Sequence, residues 1–374
     1  MRRIRRITLQ DFRSYRQLDL VLDGRSVALS GANGSGKTNL LEALSMVSPG
    51  RGLRRAALGD MQRQGTQGGW GVGVQLMGEA DFEPTPLSVM ATPPAPFRKV
   101  ARVDGSSAPS AGVFLDYLNF SWLTPAQDRL FVEGASERRR FLDRMTLSRD
   151  KAHAQSSTQY EKAMRQRTAA LLSGRSDPQV LTILERQMAE NGVAIAASRR
   201  VMAGELVRGY AALRSGAFPS ASLSLSGRLE EALGTQDAAT VEDDFAEALA
   251  RSRRRDAEAG RALIGPHRSD FEVIHLEKAQ PARLCSTGEQ KALLIGLVLA
   301  HAAALDEAAD APLFLLLDEV AAHLDSDRRA ALADILTELG CQAFMTGTDS
   351  ELFAPWGARA QHFNVAADGI TEQL

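Results

Sequence analysis

The segment Gly31-Ala32-Asn33-Gly34-Ser35-Gly36-Lys37-Thr38 limits what this chain can fold into more than any other. It fits G-x-x-x-x-G-K-[ST] in full, with a short apolar run at 26–30 before it and a helical pattern at 39–46 after it. In such a loop the glycines let backbone amides curl around phosphate oxygens, and the helix N-terminus adds its dipole. Lys37 has the reach for the β and γ phosphates, and Thr38 is placed to ligand Mg²⁺. A plain glycine turn needs neither the strand before nor the helix after. The order strand, loop, helix therefore predicts an α/β nucleotide-binding domain.

A second element belongs with the first. Residues 311–317 read Ala-Pro-Leu-Phe-Leu-Leu-Leu, an apolar run expected of a strand buried on both faces. It delivers Asp318 and Glu319 at its carboxyl end, where open α/β sheets bind their ligands. Asp318 is expected in the Mg²⁺ shell with Thr38, and Glu319 is expected to orient or deprotonate an attacking water, which makes Lys37 and Glu319 the candidate catalytic pair. Farther back, Ser286 and Glu289 form a capping box ahead of the apolar stretch 292–304. One reading is a helix start and nothing more. The other is an anion site, built from Ser286, the Gly288 amide and the helix dipole, that serves a phosphate loop other than this chain's own.

The 374 residues are long enough for two or three domains. Strands are expected at 4–9, 17–22 and 26–30, and a β-rich layer over 70–104. Past the apolar stretch 114–123 the pattern turns helical at 136–173, 178–213 and 241–263, with a linker or small hairpin at 215–234. Sheet character returns after Gly265, followed by a helix at 327–339 and a strand at 342–345. The expected architecture is an α/β head assembled from 1–115 and 262–374, a mixed sheet with flanking helices, carrying a mostly helical arm at 116–261.

Composition excludes several classes. With 44% hydrophobic and 24% charged residues, neither a disordered nor a fibrous chain is expected. Cys285 and Cys341 are the two cysteines, far apart in sequence, which argues against a disulfide framework and for a reducing compartment. The basic start Met1-Arg2-Arg3-Ile4-Arg5-Arg6 runs into Thr8-Leu9-Gln10-Asp11, so no signal peptide is expected. The most apolar stretch, 292–301, falls short of the roughly 20 residues of a membrane helix. A cytoplasmic location and no membrane partner follow as expectations. Lys plus Arg total 44 against 46 acidic residues, so any nucleic-acid contact must come from local patches. Candidates are Arg2, Arg3, Arg5 and Arg6; Arg51, Arg54 and Arg55; and the runs 138–140 and 251–255. Only six of the basic residues are lysines, a bias that suits bidentate phosphate contacts and that a GC-rich genome also produces.

A glycine-rich loop with Asn33, the Ser-Thr-Gly-Glu-Gln signature at 286–290, the Leu-Leu-Leu-Asp-Glu strand and His323-Leu324-Asp325 resemble, in that order, the ABC-type ATPase head. Asp11-Phe12-Arg13-Ser14-Tyr15, Ser48-Pro49-Gly50-Arg51, the Glu137 to Asp143 stretch, Tyr160 with Arg165-Gln166-Arg167, and Ile264-Gly265-Pro266-His267-Arg268 extend the likeness from end to end. Together they resemble the RecF family of bacterial recombination and gap-repair proteins. The resemblance implies an ATP- and Mg²⁺-dependent homodimer on single-stranded and gapped DNA, with each ATP lying between one subunit's loop and the other's signature. Ser286 and Gly288 would then contact the partner's ATP, and Asp325 would lie at the seam. It also implies mediators of the RecO and RecR type, help in loading RecA, a part in the SOS response, and slow, weak DNA-dependent ATP hydrolysis for release. ABC heads carry a glutamine before the arm, for which Gln127 is the candidate, and a histidine after the penultimate strand. Thr346-Gly347-Thr348-Asp349 has no histidine there, leaving Thr348 as the candidate γ-phosphate sensor. His267 is expected to make a structural hydrogen bond.

A metabolic P-loop kinase, or another ABC-class ATPase not acting on DNA, is the competing reading, and the kinase gives Ser286 no role. A GTPase would need an Asn-Lys-x-Asp motif, which is missing from the sequence. A transporter subunit would have a shorter stretch between Thr38 and Ser286, and an SMC-type head would need sustained heptads in the middle region.

Overall fold

Along Trp70–Met77 every second side chain, Trp70, Val72, Val74 and Leu76, is buried, the period of a strand with one face on a core. This computed structural model describes residues 2–78, 81–174, 177–213, 216–306, 311–367 and 369–373. Trp70–Met77 lies in a six-stranded sheet ordered Tyr15–Val21, Arg3–Phe12, Trp70–Met77, Thr85–Thr92, Arg98–Val103, Ser106–Ser107, antiparallel throughout. This is the β-rich layer expected over 70–104.

The second sheet carries the chemistry. Its order is Gly369–Gln373, Ala360–Ala366, Ser26–Ser30, Gln342–Gly347, Leu313–Leu317, Asn119–Leu123. Only the Gly369–Gln373 pairing is antiparallel. Ser26–Ser30, Gln342–Gly347, Leu313–Leu317 and Asn119–Leu123 are nearly or wholly buried along their lengths, which explains their near-continuous apolar reading. Register aligns their ends: Leu317 faces Leu123 and Met345, and Gly347 faces Ser30. The residues that follow these strands therefore emerge along one edge. The helix Lys37–Met46 contributes Leu40, Leu41, Ala43, Leu44 and Met46 to a core shared with Ile7, Phe12, Val74, Phe314 and Phe344. Phe12 meets Trp70 edge-on at 5.2 Å. Both sheets belong to one compact unit, residues 1–128, 212–218 and 294–374.

A second compact unit, 129–211 and 219–293, is mostly helical. Tyr160, Leu184, Met188, Val193, Phe245 and Leu249, from the helices Ala152–Ser173, Pro178–Ala212 and Ala238–Ala259, form its core. Arg167, fully buried, is satisfied by Glu185 at 2.9 Å, Asp256 at 2.7 Å and the Leu249 carbonyl at 2.7 Å. A three-stranded sheet, Gln280–Pro281, Asp270–His275, Ala221–Ser226, completes the unit. The expected helix over 136–173 is two helices, Ala135–Leu147 and Ala152–Ser173. Between them Asp150 Oδ1 accepts from the Ala152 N–H at 2.9 Å, a side-chain turn with no glycine or proline to announce it. Within the expected linker, Ser215 lies outside the described residues, and Ala221–Ser226 pairs with Asp270–His275, far along the chain, and not within a local hairpin. The chain passes from one unit to the other at 128/129, 211/212, 218/219 and 293/294.

The helix Thr287–Asp306 is longer than the apolar stretch suggests, and Thr287–Leu305 has the length and composition to cross a bilayer. Its Ala292, Leu293, Leu294, Leu297, Val298 and Ala300 are at most 1% exposed, so it is a helix of the protein interior, apolar all round between 292 and 300.

Candidate nucleotide-binding site

The phosphate loop leaves the strand Ser26–Ser30 at Gly31, whose φ of +146° brings its α-carbon against the neighbouring strand. A β-carbon there would lie 2.2 Å from the Val365 carbonyl oxygen, so no other residue fits without moving that strand. Lys37 folds back over the loop, and its Nζ donates to the Gly31 and Ala32 carbonyls at 2.6 and 2.8 Å. Burial pushes the Lys37 amine below the usual lysine value, opposed by Glu319 and Asp318. Ser35 Oγ is buried without a hydrogen-bond partner, a condition rare for polar atoms. An unsatisfied hydroxyl, a run of loop amides and one cation fit the phosphates of a nucleotide.

The stretch Asp11–Tyr15 braces this loop. Tyr15 OH donates to the Gly36 carbonyl at 3.1 Å, and burial raises the phenol to about 12, so it remains a donor. Asn39 donates to Ser14 Oγ at 2.9 Å. Arg13 and Arg54 both reach Glu42, whose side chain is wholly buried in the helix that follows the loop. Sequence reasoning used Asp11–Tyr15 only for resemblance and missed this role. The available signal was Glu42 itself, an acid in the apolar run Leu40-Leu41-Glu42-Ala43-Leu44, which needs a cation if buried.

At the neighbouring strand end, Asp318 Oδ1 accepts from Thr38 Oγ1 at 2.8 Å and from Thr346 Oγ1 at 2.8 Å. The Asp318 N–H is held by the Leu123 carbonyl at 2.8 Å, and the Glu319 N–H donates to Thr346 Oγ1 at 2.9 Å. Glu319 sits at φ +55°, a left-handed conformation that costs a non-glycine residue of order 1–2 kcal/mol. Thr38 and Asp318, brought together as expected, offer the hard oxygen ligands that Mg²⁺ takes. Thr346 was not anticipated. It lies two residues before Thr348, which is exposed just beyond the strand Gln342–Gly347.

Gln127 follows the edge strand Asn119–Leu123, but its Oε1 accepts from the Thr124 N–H at 3.0 Å in a capping box, so the amide faces its own turn. Asp325 caps the helix Ser326–Glu338 by accepting from the Arg328 N–H at 2.8 Å, and the side chain of His323 lies outside the described residues. The signature belongs to the other compact unit. The Ser286 N–H and hydroxyl both donate to Glu289 Oε2 at 2.9 Å. The Lys278 ammonium beside Glu289, with these Ser286 bonds, holds that carboxyl down at about 2. Ser286, Thr287 and Gly288 are exposed, and a β-carbon at Gly288 would meet nothing within 4 Å.

Most of the arginine runs are internally paired. Arg138 makes a two-pronged pair with Asp270, Arg140 meets Glu137, and Arg251, Arg253 and Arg254 meet Glu247, Glu185 and Glu258. Arg6 pairs with Asp19 and Arg2 with Asp81. His267 binds the Tyr160 hydroxyl through Nδ1 at 2.8 Å and the Ala262 carbonyl through Nε2 at 3.1 Å, the structural role expected of it.

A family model described as an AAA domain matches residues 6–60, which hold the loop and its braces. The DNA replication and repair protein RecF of Rhizobium johnstonii is 50% identical over 369 residues, covering 98% of each chain. This chain belongs to the RecF family. RecF of Brucella suis biovar 1 is also 50% identical, over 376 residues, 98% of this chain and 96% of that protein. The recombination mediator protein RecF-ATPrS of the RecFOR pathway superposes with a TM-score of 0.84 at 23% identity, over 100% of this chain and 98% of that one. An Smc head domain of Pyrococcus furiosus, bound to the C-terminal domain of ScpA, gives 0.55 at 16% identity, over 100% and 96%. These likenesses show the ABC-type ATPase head, and the RecF relatives show a DNA replication and repair protein. The metabolic-kinase reading falls with that finding.

Proposed function

We propose that this RecF-family chain is an ATP-gated, DNA-binding dimer acting at gaps, where single-stranded DNA meets duplex. The observation that carries the reading is the division of the nucleotide machinery. Gly31 to Thr38, Asp318 and Glu319 share one sheet edge, while Ser286 and Gly288 stand exposed at a helix start in the other compact unit. Gly31, Ala32, Asn33, Gly34, Ser35 and Gly36 cradle the phosphates with Lys37, and Thr38 and Asp318 hold Mg²⁺. Glu319 takes a proton from the water that attacks the γ-phosphorus. Ser286 and Gly288 address the nucleotide of a second copy, with Gln127 and Thr348 as candidate glutamine and sensor positions. ATP, when bound, supplies the differential affinity that favours dimer over monomer, and its slow hydrolysis releases the clamp.

In functional terms the head, 1–115 and 262–374, holds both halves of this machinery, and the arm, 116–261, shares the DNA contacts with it. Arg51 and Arg255, both exposed, are the first candidates for phosphate contact. The solved RecF relatives are recombination mediators of the RecFOR pathway, which supports RecO- and RecR-type partners here; RecA loading, a part in the SOS response and a cytoplasmic setting complete the proposed reading.

The test is binding to a gapped duplex at fixed salt with no nucleotide, ADP or ATP, for wild type, Lys37→Ala and Ser286→Arg. ATP alone should tighten binding, and each variant should lose the gain. Binding indifferent to nucleotide in wild type overturns the reading.

A further inference from the structure

Thr346 is 1% exposed, and its hydroxyl has a direction set by its two partners. The Glu319 N–H can only donate, so Thr346 Oγ1 accepts that bond at 2.9 Å and directs its own proton to Asp318 Oδ1 at 2.8 Å. One side chain thus joins the carboxylate of Asp318 to the backbone of Glu319, the next residue. Two other facts give the link weight. Glu319 stands at φ +55°, a conformation that persists only where its surroundings hold it. Asp318 Oδ1 also receives the Thr38 hydroxyl at 2.8 Å, so this oxygen is fixed from the phosphate loop and from the strand Gln342–Gly347 together.

We propose that Thr346 is a positioning residue for hydrolysis, holding the Asp318–Glu319 backbone so that the Glu319 carboxylate stays aimed at the attacking water. This rests on the assignment of Glu319 as base made above. Thr346 touches neither nucleotide nor water in this role and acts through Glu319. If Thr38 turns from Asp318 toward Mg²⁺, Thr346 remains the side-chain hydroxyl on Asp318 Oδ1, so the alignment survives loading of the site. Valine, equal in shape, would leave the Glu319 N–H and one Asp318 lone pair unpaired.

The experiment compares wild type, Thr346→Val, Thr346→Ser and Glu319→Gln for ATP affinity, ATP-induced dimerisation and single-turnover hydrolysis. Loss of a partner one step removed from the reacting groups typically costs 10–100-fold. Thr346→Val should therefore hydrolyse ATP about 30-fold more slowly, with affinity and dimerisation within about twofold of wild type, and Thr346→Ser should recover to within about threefold. Serine as slow as valine, valine as fast as wild type, or a fall in ATP affinity matching the fall in rate would each overturn the proposal. Glu319→Gln separates the two readings: if that variant hydrolyses normally, it is the assignment of the base that has failed.

Discussion

Arg13 Nε and Nη2 donate side by side to the two oxygens of Glu42, at 2.9 and 2.8 Å, and so tie the turn after the first strand to the helix of the phosphate loop. Glu42 is wholly buried, and Arg54 adds a weaker contact at 3.2 Å. Removing Arg13 leaves the buried Glu42 charge with only the longer Arg54 contact, which is worse than removing both partners of the close pair. Arg13→Ala should lower unfolding free energy by about 3 kcal/mol in urea denaturation. Arg13→Met with Glu42→Leu should regain most of the loss. A single-variant loss below about 1 kcal/mol would show that the pair is not holding the helix.

Gly31 and Gly34 both have positive φ, but their surroundings differ. An alanine β-carbon at 31 would collide with the Val365 carbonyl at 2.2 Å, while at 34 it would meet nothing within 4 Å. Gly34→Ala should cost about 1 kcal/mol from backbone strain alone. Gly31→Ala should cost well beyond that and abolish ATP binding, because the strand Ala360–Ala366 must shift. Thermal melts of the two variants side by side check the difference.

These two sites show what a sequence carries and what it does not. The loop Gly31 to Thr38 and the Asp318–Glu319 strand end were legible because each is a local pattern on a local element. Arg13–Glu42 was not, because an arginine in a turn gives no sign of which helix it will meet. Thr346 was missed for a different reason: positions 346 and 348 fall on the same side of a strand's alternation, and a strand end cannot be placed within two residues from composition. The arm's helices were legible by period. Their break at Asp150 was not, since the turn there contains no glycine or proline.

Asp143 lies in the second unit, partly buried, with Arg199 on both oxygens at 2.7 and 2.9 Å and His153 Nε2 at 3.0 Å. Burial pushes its pKa up, yet His153 and Arg199 outweigh burial and hold it at about 2 against a usual 3.8. With the folded value depressed, the unfolded chain binds the extra proton first. The stabilisation, about 2 kcal/mol, is complete above pH 3.8 and is lost as pH falls toward 2. Asp143→Asn should remove that acid dependence and lower stability at pH 7 by a similar amount. Denaturation curves at pH 7, 4 and about 2.5 measure both effects.

Gly288 separates folding from assembly. Because a β-carbon there meets open space, Gly288→Ala should leave the melting temperature unchanged or slightly raised, alanine being the better helix former. ATP-induced dimerisation, followed by light scattering, should nonetheless weaken if a second copy's nucleotide approaches that backbone. A variant that dimerises as wild type removes Gly288 from the interface.

The order of strands in the second sheet has a consequence for synthesis. Ser26–Ser30, which launches the phosphate loop, is flanked on one side by Gln342–Gly347 and on the other by Ala360–Ala366. A nascent chain emerging from the ribosome displays Val27, Ala28 and Leu29 long before either neighbour exists, and such late, distant pairings are slow and leave apolar edges open to aggregation. A ribosome that stalls before Ala360–Ala366 is made would release a loop whose sequence is whole but whose supporting strand lacks a neighbour. The strand that launches the phosphate loop is thus completed only once Ala360–Ala366 has been made.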